Sequence, residues 1–446
     1  MEISKLYQLY LQHSIITTDS RDCPGGSIFF ALKGSSFNGN EFAGKALEKG
    51  CSYAVVDEEK WTVASDQRYI LVKNCLQTLK QLANYHRKTL QTPIIGITGT
   101  NGKTTTKELV STILSERFNV LYTLGNYNNE IGVPKTLLRL KHEHQIAVIE
   151  MGASHPGDIK SLVDVVEPDF ALITNVGRAH LEGFGSFEGV MKTKAELFDY
   201  MQSNKPHGIV FINEDNEFLK KMRLEHCPDA VCIGYGQSDQ ESIAFQGKVT
   251  ANAPYLEFEW RKNFSSEPSQ ESADWNQVKT HLIGAYNLDN MLAAISIGTH
   301  FGINAKQIEH ALSNYIPSNN RSQLEVTKDN KLIVDAYNAN PTSMKAAIDN
   351  FEMMEVDKKM VILGDMRELG AVSAIEHQAV IDLLIKENFD LVWLVGEEFA
   401  KTRSAFRKFN TVEDVKLAIA ADHPMGYYIL IKGSNGIHLS ELPPLL

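Results

Sequence analysis

Ile94-Ile95-Gly96-Ile97-Thr98-Gly99-Thr100-Asn101-Gly102-Lys103-Thr104-Thr105 is an apolar run that feeds a glycine-rich turn and then opens a helix-length segment. That order implies a strand, a phosphate-binding turn and a helix. Glycines let backbone N–H groups surround phosphate oxygens, Lys103 brings a point charge to the β- and γ-phosphates, and the Thr104 hydroxyl suits a Mg²⁺ ion. The strict phosphate-loop pattern asks for glycine where Ile97 stands, so this loop is a variant. Thr100, Asn101, Gly102, Lys103, Thr104 and Thr105 are the candidate nucleotide-binding residues.

Outward from this loop, apolar strands alternate with helix-length segments: Ile94 to Ile97, Ile146 to Ile149, Phe170 to Thr174 and Ile209 to Ile212. The alternation predicts a central, mostly parallel sheet covered by helices on both faces. Before it, the runs Ile28 to Leu32 and Tyr53 to Val56 predict a small α/β unit, with a boundary at Thr92-Pro93, since a residue before proline favours an extended conformation. After it, residues 243 to 282 break the rhythm with the alternating stretch Tyr255-Leu256-Glu257-Phe258-Glu259-Trp260, a small antiparallel excursion. Two helices follow, with Leu288, Met291, Leu292, Ile295 and then Ile308, Ala311, Leu312, Tyr315 at helical spacing. Pro317-Ser318-Asn319-Asn320 marks a linker, beyond which Lys331 to Val334, Met360 to Leu363, Leu391 to Val395 and Tyr428 to Ile431 predict a third α/β unit. The expected domains are 1–91, 92–316 and 317–446.

A chain of 446 residues accommodates three such cores. Its 43% hydrophobic and 22% charged content are those of an ordinary globular protein, and no window approaches the ~18 consecutive apolar residues of a membrane span. The first twenty residues lack the basic and apolar regions of a signal peptide, so the expected compartment is the cytoplasm. Cys23, Cys51, Cys75, Cys227 and Cys232 are odd in number and form no C-x-x-C pair, which argues against a disulfide framework or structural zinc. A net charge of −11 opposes nonspecific nucleic-acid binding but leaves small anionic substrates open.

In an open parallel sheet, ligands bind beyond the carboxyl ends of the strands. Glu150 ends one such strand, where its carboxylate is either a hard oxygen ligand for Mg²⁺ or a solvent-facing acid. His180 follows another through Asn175-Val176-Gly177-Arg178, as a structural residue unless other ligands join it. Lys192, Lys194 and Glu196 read as a solvated charged face. Asn287 and Asn290 begin a helix, placed either to bond a base or to cap. Arg321 could pair bidentately with a phosphate. Asp335-Ala336-Tyr337-Asn338-Ala339-Asn340-Pro341 sets polar side chains at a strand end, before a helix expected near Ser343.

These segments together resemble the Mur ligases of peptidoglycan synthesis over essentially the whole chain, and within them the D-alanyl-D-alanine-adding branch. The resemblance rests on Thr98 to Thr105, Gly125-Asn126-Tyr127-Asn128-Asn129-Glu130-Ile131-Gly132-Val133-Pro134, Glu150-Met151-Gly152-Ala153, Thr174 to Glu182, Asp335 to Met344 and Leu363-Gly364-Asp365-Met366-Arg367-Glu368-Leu369-Gly370, in that order. The D-N-P-R signature of the diamino-acid-adding ligases is absent, which favours a dipeptide as incoming group. This chain departs from the family's usual residues at Tyr286, Asn320 and Asn38-Gly39-Asn40.

The resemblance implies an ATP-dependent ligase that joins D-alanyl-D-alanine to UDP-MurNAc-tripeptide through an acyl phosphate, with a folylpolyglutamate synthase-like ligase or a nucleotide-binding module as alternatives. It implies two Mg²⁺ ions, held by Thr104, Glu150, His180 and a carbamate on Lys194. A neutral amine that captures CO₂ becomes an anionic oxygen ligand. By the same resemblance Asn287, Arg321 and Asp335 contact the nucleotide, and Lys103, Glu150, His180, Lys194 and Asn338 serve the reaction. Ser20 and Arg21, with Asn126, Asn128, Asn129 and Asn340, belong to the substrate side. A monomer is the default expectation.

Overall fold

The computed structural model describes residues 1–263, 274–317 and 323–446. Arg321 and most of the expected linker lie outside these residues. Three sheets carry the chain. The first is a four-stranded parallel sheet in the order Ile16–Thr17, Ile28–Phe30, Tyr53–Val56, Tyr69–Leu71. The second has nine strands, in the order Asn276–Lys279, Leu256–Lys262, Ile243–Asn252, Val231–Gly236, Ile209–Asn213, Phe170–Ile173, Ile94–Thr98, Ile146–Glu150, Val120–Tyr122. Its first two strands run antiparallel to their neighbours, which is the excursion expected over residues 243 to 282. The third has six strands and is parallel except for the edge strand Gln323–Val326.

The site uses a few of these elements: β1 (Ile94–Thr98), α1 (Lys103–Ser115), β2 (Ile146–Glu150), β3 (Phe170–Ile173), α2 (Phe187–Asn204), α3 (Asn287–His300), β4 (Lys331–Asp335), α4 (Pro341–Met353), β5 (Lys359–Gly364) and α5 (Ser373–Leu384). All five residues of β1 and of β2 are buried, which is why both read as unbroken apolar runs rather than alternating ones.

By compactness the chain forms two units. One comprises Met1–Gly96, Phe118–Gly152 and Asp158–Asp169. In it the helix Cys75–Leu90 is capped by Asn74, whose side chain accepts from the Gln77 N–H at 2.8 Å. The buried Arg87 of that helix donates to the carbonyls of Val166 and Glu167 and pairs with Asp169 at 3.3 Å. The other unit comprises Ile97–Arg117, Ala153–Gly157 and Phe170–Leu446. There α3 packs on α1 so closely that a Cβ on Gly298 would stand 2.3 Å from Ile113 Cγ2. The six-stranded sheet buries one apolar layer on each face, around Ile348, Phe351 and Ile381 on one side and around Trp393, Val415 and Ile419 on the other.

Candidate functional site

β1 ends at Thr98, and the chain turns through Gly99 and Gly102, whose φ angles of 145° and 78° favour glycine. Space demands it too. A Cβ on Gly99 would lie 2.0 Å from Thr174 Oγ1, and one on Gly102 would lie 2.5 Å from Asn290 Oδ1. Thr174 and Asn175, beyond the end of β3, hold the turn in shape. The Thr174 hydroxyl and the Asn175 amide both donate to the Asn101 carbonyl, at 2.6 and 3.0 Å, and Asn175 Oδ1 accepts from the Asn101 N–H at 2.9 Å. The sequence reading gave these two residues no role; the only signal was their place at a strand end within a quoted motif.

No side chain caps α1 at Gly102, so the helix opens toward the loop with its N–H groups and the positive end of its dipole. Lys103 Nζ donates to the carbonyls of Gly99 and Thr100, both at 2.9 Å, and therefore lies over the loop. Thr104 is buried. The amides of Asn287 and Asn290 do not cap α3. Asn287 donates to the Ile283 carbonyl at 2.8 Å, Asn290 donates to Asn287 at 2.9 Å, and Asn290 accepts from the Thr106 hydroxyl at 3.0 Å, which ties α3 to α1.

In the first unit, Glu150 is 1% exposed, which excludes the solvent-facing reading. Its Oε1 accepts from Asn128 Nδ2 at 2.7 Å, while the Asn128 carbonyl accepts from the Gly152 N–H, so Asn128 orients the carboxylate. Asn129 Oδ1 accepts from the N–H groups of Ile131 and Gly132 at the head of the short helix Gly132–Leu137, and Asn126 is exposed. Ser20 accepts from Lys49 Nζ at its carbonyl, and the exposed Arg21 is bonded to the Asp19 carboxylate. That guanidinium holds the Asp19 carboxyl far below its ordinary value.

In the second unit, Lys194 corrects the solvated-face reading: it is 2% exposed on α2, whereas Lys192 is exposed. Its Nζ lies 5.7 Å from the centroid of Phe184, and His180 meets the same ring edge-on at 6.2 Å. Burial pushes the His180 imidazole below its ordinary pKa; Glu368 pulls it up, and Lys103 and Lys194 push it down. The net direction is down. His180 Nδ1 stands 2.5 Å from Glu368 Oε2, but outside the direction of a hydrogen bond.

The end of β4 reaches the phosphate loop. Asn340 Nδ2 donates to Asn101 Oδ1 at 2.8 Å, and its Oδ1 caps α4 by accepting from the Ser343 N–H at 2.9 Å. The helix expected near Ser343 starts at Pro341, because Asn340 is the cap and proline is favoured in the first turn. Asp335 pairs with the buried Lys432 at 2.5 Å. Asn338 is exposed, its Oδ1 accepting from the Ala339 N–H. Arg178 extends this contact by pairing with Glu376 of α5 at 2.5 Å. Among the described residues no group of three or more His, Cys, Asp or Glu is arranged to hold a metal.

Three family descriptions match in succession: the Mur ligase family catalytic domain over residues 12–87, the Mur ligase middle domain over 97–298, and the Mur ligase glutamate ligase domain over 320–435. The UDP-N-acetylmuramoyl-tripeptide–D-alanyl-D-alanine ligase of Bacillus subtilis is 31% identical, across 96% of this chain and 92% of its own. The chain belongs to the Mur ligase family. The ligase of the same name from Escherichia coli is 32% identical over the same shares. Among solved structures, MurF from Acinetobacter baumannii superposes with a TM-score of 0.84 at 29% identity, covering 96% of this chain and 92% of that one. The Thermotoga maritima MurF ligase in complex with ADP gives 0.84 at 26%, covering 98% and 97%. These Mur ligases share the three-part architecture described above. A folylpolyglutamate synthase from Mycobacterium tuberculosis, at 14% identity and a TM-score of 0.60 over 83% of this chain and 94% of its own, shares the fold alone.

Proposed function

We propose that this chain is an ATP-dependent ligase that joins D-alanyl-D-alanine to UDP-MurNAc-tripeptide through an acyl phosphate. One observation carries the reading: Asn340, at the head of α4, is bonded to Asn101 in the loop that holds Lys103. A phosphoryl group bound at that loop is thus presented to residues of the C-terminal part. The likeness to D-alanyl-D-alanine-adding ligases over 96% of the chain supports the choice of substrates. The reading divides the chain at 91/92 and 316/317 into UDP-substrate, ATPase and C-terminal domains. It places a monomer in the cytoplasm; no described helix is long and apolar enough to cross a membrane.

The Thr104 hydroxyl in one unit and the buried Glu150 carboxylate in the other are each oxygen donors of the kind Mg²⁺ takes, and His180 adds an imidazole nitrogen. Lys194 as an ammonium would repel the ion. As a carbamate, formed when the neutral amine attacks CO₂ and loses a proton, it supplies oxygen donors from its buried place on α2. Mg²⁺, where these residues held it, would supply charge neutralisation for the phosphates and the incoming carboxylate. The chain's own residues do the rest. Lys103 exchanges the Gly99 and Thr100 carbonyls for phosphate oxygens, and the open N-terminus of α1 holds the phosphates in line. Asn128 keeps Glu150 oriented, and Asn340 keeps α4 in register with the loop. Asn287, Arg321 and Asp335 are assigned to the nucleotide; Ser20, Arg21, Asn126 and Asn129 to the UDP-linked substrate; Asn338 to the reacting carboxyl.

The test is phosphate release from MgATP with UDP-MurNAc-tripeptide, with and without D-alanyl-D-alanine, while pentapeptide is followed by mass. Release that requires both substrates and matches product formation is expected. Release indifferent to the dipeptide, with no pentapeptide, would overturn the reading.

A further inference from the structure

Five non-glycine residues among those described have positive φ, and two of them face each other: His180 at 50° and Glu368 at 62°. Such a conformation is unfavourable for residues with a Cβ and persists where the surroundings impose it. Here the surroundings are visible on both sides. The Glu368 carbonyl accepts from the Glu182 N–H at 3.2 Å, and Gly370, itself at φ 54°, leaves room for Glu182, whose Cβ would be 3.3 Å from an added Cβ.

Every residue leading into Glu368 is tied down. Asp365 accepts from the N–H groups of Glu398 and Phe399, both at 2.9 Å. The Met366 N–H donates to Nε2 of the fully buried His377 at 3.0 Å, whose Nδ1 faces the Ser373 carbonyl at 2.8 Å. The Arg367 N–H donates to Ser434 Oγ at 3.0 Å, and its guanidinium donates to the Gly436 carbonyl at 2.8 Å. The turn is built, and it aims one carboxylate at one ring nitrogen 2.5 Å away. A hydrogen bond between them requires the imidazole to turn, because Nδ1 has no partner in line as the ring stands.

Metal-ligating histidines generally give their second ring N–H to a carboxylate or carbonyl, which fixes the tautomer and the ring's orientation. We propose that Glu368 is a positioning residue that takes the Nδ1–H of His180, leaving Nε2 for a divalent cation. The cation site then depends on a carboxylate from residues 364–370. This rests on the reading of His180 as a Mg²⁺ ligand.

The experiment uses the full chain with a non-hydrolysable ATP analogue and Mn²⁺ as probe, counting free Mn²⁺ by electron paramagnetic resonance. His180→Ala, Glu368→Ala, Glu368→Gln and Arg178→Ala are compared. Glu368→Ala is expected to weaken one Mn²⁺ site about 10- to 100-fold. Glu368→Gln keeps an acceptor oxygen and loses less. Arg178→Ala breaks the neighbouring pair with Glu376 and leaves Mn²⁺ affinity unchanged. If His180→Ala weakens the site and Glu368→Ala does not, the positioning role is wrong and the ligase reading stands. If Arg178→Ala weakens it as much as Glu368→Ala, Glu368 is a docking contact only, and the proposal is overturned. If His180→Ala changes nothing, the metal reading beneath it falls as well.

Discussion

Asn340 does two jobs that substitution separates. Its Oδ1 caps α4 through the Ser343 N–H, and its Nδ2 bonds Asn101 in the phosphate loop. Serine is also a good cap, so Asn340→Ser keeps the first contact and loses the second. Alanine loses both. A hydrogen bond of this kind contributes about 1 kcal/mol net, and loss of a cap costs about 1 kcal/mol more. Asn340→Ser should therefore destabilise by about 1 kcal/mol and Asn340→Ala by about 2 kcal/mol. Kinetics should behave differently, because only the Asn101 contact bears on the loop. If that bond persists in the transition state, both variants lose about fivefold in kcat/KM, which is what 1 kcal/mol corresponds to. Thermal unfolding and steady-state phosphate release on the same preparations give the two rankings. A double-mutant cycle with Asn101→Ser should return a coupling of about 1 kcal/mol. Two results would refute the reasoning. Independent, multiplicative losses would show that the two amides do not work together. A loss of about a hundredfold in Asn340→Ser would exceed one neutral hydrogen bond and make Asn340 a substrate contact.

Lys194→Ala should lower turnover by about two orders of magnitude, with partial recovery in added short-chain carboxylates; labelled bicarbonate should give a carbamate ¹³C signal in the wild type only, and its absence there would remove the carbamate. Gly99→Ala must place its Cβ against Thr174 Oγ1, at 2.0 Å in the present backbone, and adopt a φ of 145°, so calorimetry should find ATP affinity reduced at least about tenfold, and unchanged affinity would mean the loop is more plastic than its contacts imply. Burial pushes the Asp57 carboxyl up, but bonds from Lys33, Cys75 and Asn40 outweigh it and set the folded value below 3.8. A depressed carboxylate contributes stability above its unfolded pKa and loses it as pH falls through the folded one. The stability gap between wild type and Asp57→Asn should therefore be full above pH 3.8 and shrink below it, in pH-dependent denaturant titrations.

The strands of this protein were legible because they are buried on both faces, so β1 and β2 had to be written as continuous apolar runs next to glycine or an acid. The excursion was legible for the opposite reason, since Leu256, Phe258 and Trp260 are buried and alternate with less buried residues along one strand. Lys194 reads as solvated because its neighbours Lys192 and Glu196 are charged, yet the helical pattern places it inside an apolar stripe. Val190, Leu197, Phe198 and Met201 are all buried on α2, and Lys194 sits four residues after the first, three before the second and seven before the last. A lysine inside an apolar stripe is either paired or chemically altered, because burying an isolated ammonium is too unfavourable. Thr174 and Asn175 were quoted without a role because their work is done on the Asn101 backbone, which no side-chain pattern records.

The pairing of His180 with Glu368 has no sequence signal at all. It joins two segments far apart in the chain through two residues whose backbones are both left-handed, a conformation that glycine takes freely and histidine and glutamate do not. A chain that merely needed a turn at either place would be served by glycine. Side chains stand there instead, with a carboxylate 2.5 Å from an imidazole nitrogen and the preceding turn fixed by Asp365, His377 and Ser434, at a local cost that the surrounding contacts offset. Glycine at 368 should therefore relax the turn while releasing the imidazole. A Glu368→Gly variant as stable as wild type or more so, yet poorer in Mn²⁺ binding, is the outcome that follows from strain held for function; one that loses stability without losing Mn²⁺ affinity would make the turn purely structural.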